Sequence, residues 1–217
     1  MKSKKKLLKN WKIYAILDSS LFSSAGEILT AFDKLLESHV DVIQLRFDDH
    51  RLPSLFGLVK KMAEKAHRRN VPLVMNDRVE IVLAAGLKGV HLGKCDIPPR
   101  VARYILGPRG LVGVTTRGIK DVSRLNRREI DYFSVGPVFK TPIKSHLKPI
   151  PLDQLGKLSR EASLPFVAIG GINDKNAGQL VENGVRTVAF IRYGVKGKNI
   201  RGRIEKLRRI LEGNDKH

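Results

Sequence analysis

The sequence predicts the α/β class and, within it, a single (β/α)₈ TIM barrel, on three observations. Eight short apolar runs rich in β-branched residues recur along it, and amphipathic stretches separate them. The 217 residues suit one domain of this architecture, which commonly takes about 200 to 250. Alternation of this kind implies parallel strands joined by right-handed helical crossovers. An open doubly wound sheet would use the same alternation, but eight units in so short a chain close naturally into a barrel.

In chain order the candidate strands are residues 13–17, 40–45, 71–75, 89–92, 111–115, 132–135, 166–169 and 187–191. Helical periodicity is read over 25–38, 55–69, 79–85, 98–106, 152–162, 174–183 and 200–211. The fifth unit is weak, because 118–128 offers only a short helical pattern. Residues 136–149 make a longer loop with three prolines after the sixth strand, on the side where barrel active sites are assembled. Residues 1–11 read as a basic N-terminal tail and 12–213 as the barrel domain.

Composition narrows the setting. The one cysteine, Cys95, excludes an internal disulfide and a Cys/His zinc pattern, which points to a reducing compartment. No run of 18 apolar residues occurs, and the basic start runs into Trp11-Lys12 instead of an apolar signal core. A cytoplasmic protein without a membrane partner is therefore expected. The net charge of +20 can attract nucleic acid, an anionic membrane or phosphorylated substrates. Much of the excess lies in Lys2, Lys4, Lys5 and Lys6 and in residues 203–209, with little aromatic interleaving, so nucleic acid is not the expected partner.

Polar residues ending the strands converge on one rim. Gln44-Leu45-Arg46 places Gln44 and Arg46 on the same face, and a guanidinium there suits bidentate phosphate binding or a surface salt bridge to Asp48 or Asp49. The third strand runs into Asn76-Asp77-Arg78, and the fourth runs through His91 into Gly93-Lys94-Cys95-Asp96. Two carboxylates at adjacent strand ends suit Mg²⁺ held together with a substrate phosphate; capping of the following helices explains them equally. His91, within an apolar strand, reads as a hydrogen-bonded core or rim histidine, and Cys95 as a small, partly buried residue. Thr141 and Lys144 lie on the loop after the sixth strand, where they can close over a polyphosphate. Gly170-Gly171 before a helix offers free backbone N–H groups for a phosphate, or a tight turn for packing.

Taken in order, Gln44-Leu45-Arg46, Asn76-Asp77-Arg78, Gly89-Val90-His91-Leu92-Gly93 with Asp96, Gly136-Pro137-Val138-Phe139 with Thr141 and Lys144, and Ala168-Ile169-Gly170-Gly171-Ile172 resemble the thiamine phosphate synthase family and its thiazole-tautomerase relatives over nearly the whole chain. The resemblance implies a transferase that joins hydroxymethylpyrimidine diphosphate to a thiazole phosphate and releases pyrophosphate. It implies Mg²⁺ held by Asp77 and Asp96, with Gln44, Arg46, Asn76 and Lys144 on the pyrimidine diphosphate. Arg46 and Lys144 would neutralise the leaving group. Thr115, Thr141, Gly171, Ile191 and Arg192 would face the thiazole phosphate.

Some positions depart from the family pattern. Asp48 stands where members carry Lys, Thr115 where they carry Ser, Arg117 where His is frequent, Ile143 where a second Thr is usual, and Arg192 where a small Ser is usual. Two other readings are therefore kept: a divergent, tautomerase-like paralogue for a related phosphorylated heterocycle, and a non-enzymatic barrel binding phosphate or nucleic acid.

Overall fold

A computed structural model of the chain describes residues 4–47, 55–142, 145–197 and 199–213. Eight parallel strands close in sequence order, with β8 pairing back to β1. They are β1 (Ile13–Asp18), β2 (Val42–Arg46), β3 (Leu73–Asn76), β4 (Gly89–Leu92), β5 (Leu111–Thr116), β6 (Tyr132–Val135), β7 (Phe166–Ile169) and β8 (Val188–Phe190). The helices are α1 (Lys4–Lys9), α2 (Ala25–Leu36), α3 (Leu55–Arg68), α4 (Val79–Ala85), α5 (Pro99–Leu106), α6 (Ile119–Val122), α7 (Leu152–Glu161), α8 (Ala177–Glu182) and α9 (Ile200–Glu212). The closed barrel replaces the open-sheet alternative. The fifth crossover is the short one anticipated, a single turn of helix in α6.

Strand pleating divides the core in two. Ile13, Ala15 and Leu17 of β1, Ile43 and Leu45 of β2 and Leu73 and Met75 of β3 point outward against the helices. The alternate positions, Tyr14 and Ile16, Val42, Val74, Leu111, Tyr132, Val167 and Ala189, fill the barrel interior. Apolar residues at both parities are why these strands read as continuous apolar runs.

The segment expected to be a tail forms α1 and is attached to the barrel. Leu8 and Trp11 are buried, and the Trp11 ring stands edge-on to Tyr14 and Tyr132 at centroid distances of 5.7 and 5.3 Å. Lys4 holds the helix through Asp131, 2.6 Å away. The basic charge there is thus partly structural.

Two aspartates brace the N-terminal ends of the strands. Asp41, just before β2, accepts from the Lys12 and Ile13 N–H groups at 2.8 Å each and from Arg208 at 2.7 Å. Asp131, just before β6, accepts from the Val112 N–H at 2.9 Å and from Arg103 at 2.5 Å. Both side chains of the Arg103–Asp131 pair are largely buried, so removing one leaves an uncompensated charge and an unpaired N–H. Asp131→Ala is expected to cost about 3 kcal/mol in denaturant unfolding; a loss within about 0.5 kcal/mol, the range of ordinary surface changes, would contradict this bracing role.

Candidate functional site

The C-terminal ends of the strands surround a cavity of about 410 Å³. Its polar wall comes from the inward positions of six consecutive strands, and the other side is apolar, with Val167, Ile169, Ala189 and Ile191 from β7, β8 and their ends. Shape and chemistry suit a flat, partly apolar molecule that carries charge toward the open rim.

β2 turns Gln44 and Arg46 to the same inward face, as the alternation required, and both line the cavity. Gln44 is buried. Its Nε2 donates to Asn76 Oδ1 at 2.7 Å, and Asn76 Nδ2 in turn donates to the Asp77 carboxyl. Arg46 is half-exposed, and its partner among the described residues is Asp18, the buried last residue of β1, at 2.9 Å. The sequence had offered Asp48 or Asp49 for this contact, and both lie outside the described residues. Asp18 also accepts from the Ser20 N–H at 2.9 Å. With both its oxygens engaged, Asp18 fixes one Nη of Arg46 and, among the described residues, leaves the rest of the guanidinium for an anion at the rim.

Asp77 follows β3 with φ at +65°, a left-handed conformation that is costly for a residue other than glycine. It faces Asp96 across the ends of β3 and β4, and Asp96 is held by the Gly93 N–H at 2.5 Å. Burial, then the hydrogen bond and charge of Asp96, push the Asp77 carboxyl up to about 7, against the opposing pull of Arg46. Two oxygen donors confronting each other in this way fit a hard divalent cation. Among the described residues no cluster of three or more acidic, His or Cys side chains could hold a metal. Water and substrate oxygens would have to supply the remaining positions, as Mg²⁺ prefers.

Thr115, Thr141 and Ile191 also line the cavity. Gly171 and Arg192 are not among its lining residues. Gly171 has φ +68°, and a Cβ there would come within 2.5 Å of the Lys140 carbonyl, so its bare backbone serves the close approach of the loops after β6 and β7. The Gly171 carbonyl accepts from Asn176 at 2.9 Å, and α8 begins three residues later than the periodicity suggested. Arg192 is exposed. Lys144, Ile143 and Asp48 lie outside the described residues.

Cys95 is exposed at the cavity edge and not partly buried. His91 is buried and hydrogen-bonded, with Nδ1 3.1 Å from Tyr132 Oη and Nε2 3.1 Å from Thr115 Oγ1. Sequence reasoning missed Asp18, Tyr14, Tyr132 and Ser134. The available signal was strand parity: Tyr14 and Asp18 share the inward face of β1, as Tyr132 and Ser134 do in β6. Burial pushes both tyrosine hydroxyls well above the ordinary phenol range, so they remain protonated.

The thiamine monophosphate synthase family matches residues 13–193. The thiamine-phosphate synthase of Caldanaerobacter subterraneus subsp. tengcongensis is 32% identical over 211 residues, covering 95% of this chain and 98% of the relative. That of Persephonella marina is 32% identical over 200 residues, covering 92% and 95% respectively. Among solved structures, a thiamine phosphate pyrophosphorylase from Pyrococcus furiosus superimposes with a TM-score of 0.83 at 28% identity, covering 96% of this chain and 98% of that one. With its closed barrel and its strand-end residues gathered on one cavity, the chain belongs to the thiamine monophosphate synthase family.

Proposed function

We propose that the protein is a thiamine phosphate synthase, joining hydroxymethylpyrimidine diphosphate to a thiazole phosphate and releasing pyrophosphate. The observation that carries this reading is the convergence of Gln44 and Arg46 of β2, Asn76 of β3, and Asp77 and Asp96 from the segments after β3 and β4, on one cavity.

The C–O bond between the pyrimidine methylene and the diphosphate breaks, and its electron pair leaves with pyrophosphate. The thiazole nitrogen supplies the pair for the new C–N bond, so no external oxidant, base or nucleophile is required. An electron-rich aminopyrimidine stabilises the cationic carbon, which leaves the protein the tasks of alignment and of neutralising the departing charge. Arg46, held by Asp18, presents its remaining guanidinium N–H groups to the diphosphate; Lys144 serves the same charge. Asn76 and Gln44 position the pyrimidine end, while Thr115, Thr141, Gly171, Ile191 and Arg192 serve the thiazole phosphate. Asp77 and Asp96 would hold Mg²⁺, which when bound supplies Lewis-acid neutralisation of phosphate oxygens. No helix among the described residues is long and apolar enough to cross a membrane, and the lone cysteine supports a cytoplasmic setting.

The reading is tested by pyrophosphate release: both substrates together should yield it in step with thiamine phosphate, and release from neither mixture nor single substrate would refute it. The Asp18–Arg46 contact makes a finer prediction. Asp18→Asn keeps the guanidinium charge but loosens its placement, so KM for the pyrimidine diphosphate should rise about five- to tenfold with kcat little changed. An unaltered KM with a depressed kcat would show that Asp18 does not act through substrate binding.

A further inference from the structure

The polar wall of the cavity contains a hydrogen-bond chain whose direction can be worked out atom by atom. It starts at Asp77, which accepts from Asn76 Nδ2. That turns Asn76 Oδ1 toward Gln44, which must answer with Nε2, at 2.7 Å. Gln44 Oε1 is then left facing Tyr14, whose hydroxyl must donate to it, at 3.1 Å. A phenol has one proton, so Tyr14 can only accept from Tyr132, 3.0 Å away. Tyr132 has thereby used its own proton and can only accept from His91 Nδ1, at 3.1 Å. The imidazole proton sits on Nδ1, and neutral Nε2 is an acceptor between Thr115 Oγ1 at 3.1 Å and Ser134 Oγ at 3.3 Å.

The middle of the chain is secluded, while Asp77, Asn76 and Thr115 at its ends are partly buried. Tyr14, Tyr132, His91, Gln44 and Ser134 are all buried, so a reversed link among them would leave a buried donor facing a donor. The backbone makes room for the central member: a Cβ on Gly113 would lie 2.2 Å from the Tyr132 ring. Only glycine at that place in β5 lets the phenol reach both of its partners.

We propose that Tyr132 and Tyr14 are positioning residues that fix the Gln44 amide and hold His91 in its Nδ1–H form, so that Nε2 takes the Ser134 proton, Ser134 meets a ligand with its oxygen lone pairs, and Thr115 keeps its proton for a phosphate. The wall then selects a heterocycle presenting an N–H donor, such as an exocyclic amino group, over one presenting a carbonyl. The selection for the amino group in catalysis rests on the synthase reading above; the direction of the chain does not.

The test begins with the free protein. In two-bond ¹H–¹⁵N correlation spectra of the labelled wild type, with His91 assigned by the peaks lost in His91→Gln, Nδ1 should show the protonated and Nε2 the unprotonated pattern at neutral pH. Tyr132→Phe keeps the ring and its packing but removes the acceptor, so the proton should move toward Nε2. In the same variant, KM for the aminopyrimidine diphosphate should rise about three- to tenfold, and its advantage over the analogue with an oxo group in place of the amino should shrink by a similar factor. An Nε2–H or doubly protonated His91 in the wild type would overturn the proposal, as would a tautomer unmoved by Tyr132→Phe. A shifted tautomer with unchanged discrimination would overturn the selection of the amino group. The expected wild-type spectrum from a protein that makes no thiamine phosphate would refute the synthase reading while supporting the direction of the chain.

Discussion

Asp77→Asn is expected to lower kcat of the Mg²⁺-dependent reaction by about 10²- to 10³-fold, the range seen when a principal electrostatic group is removed from developing charge. The substitution is nearly isosteric, its amide oxygen still accepting from Asn76 and its N–H groups facing the Asp96 carboxylate, so the loss reports charge and not shape. It has an opposite effect on the metal-free fold. The carboxyl is pushed up to about 7 in the folded protein, first by burial and then by Asp96, against an ordinary value of 3.8. A raised carboxyl pKa favours the folded state below the unfolded value, and that advantage is lost as pH rises toward about 7. Asn has no proton to lose. With a chelator present, Asp77→Asn should therefore melt above the wild type near about pH 8, with the difference shrinking toward about pH 4. Wild-type turnover with the same Mg²⁺ requirement would remove Asp77 from the cation site.

Arg46→Gln carries the other large effect. The guanidinium bridges the buried Asp18 and the open rim, so its loss takes a cation from the departing diphosphate and strands a buried carboxylate. We expect kcat/KM to fall by about 10²-fold or more, with kcat and KM both affected. Melting temperature should also drop, because among the described residues Asp18 keeps only its contact to the Ser20 N–H. The double variant Asp18→Asn/Arg46→Gln should recover part of the lost stability and none of the lost activity. Recovered activity would mean that Arg46 serves to neutralise Asp18 and not to bind substrate.

Much of this is legible in the amino-acid sequence, and the reasons are physical. Strands covered on both faces read as short apolar runs, so β4, β6 and β7 fall on the expected residues. Parity within a strand told that Gln44 and Arg46 share a face, because a pleat has a period of two. The partner of Arg46 could not be read, since parallel strand register brings Asp18 opposite Arg46 across 28 residues of sequence. The hydroxyl chain escaped for the same reason: Tyr14 and Tyr132 are 118 residues apart, and in a sequence each looks like an ordinary core aromatic. The basic start misled, because Leu8 and Trp11 are too few apolar residues to announce a helix that seals the barrel. Gly170-Gly171 was ambiguous between phosphate binding and packing, and the structure supplies a packing need, since a Cβ on Gly171 would meet the Lys140 carbonyl.

The most direct measurement mixes the purified protein with hydroxymethylpyrimidine diphosphate and thiazole phosphate, with and without Mg²⁺, and follows thiamine phosphate by mass spectrometry. Thiamine phosphate and pyrophosphate are expected in equal amounts, formed only when Mg²⁺ is present. A folded barrel that binds either substrate yet forms no thiamine phosphate at saturating Mg²⁺ would contradict the synthase reading.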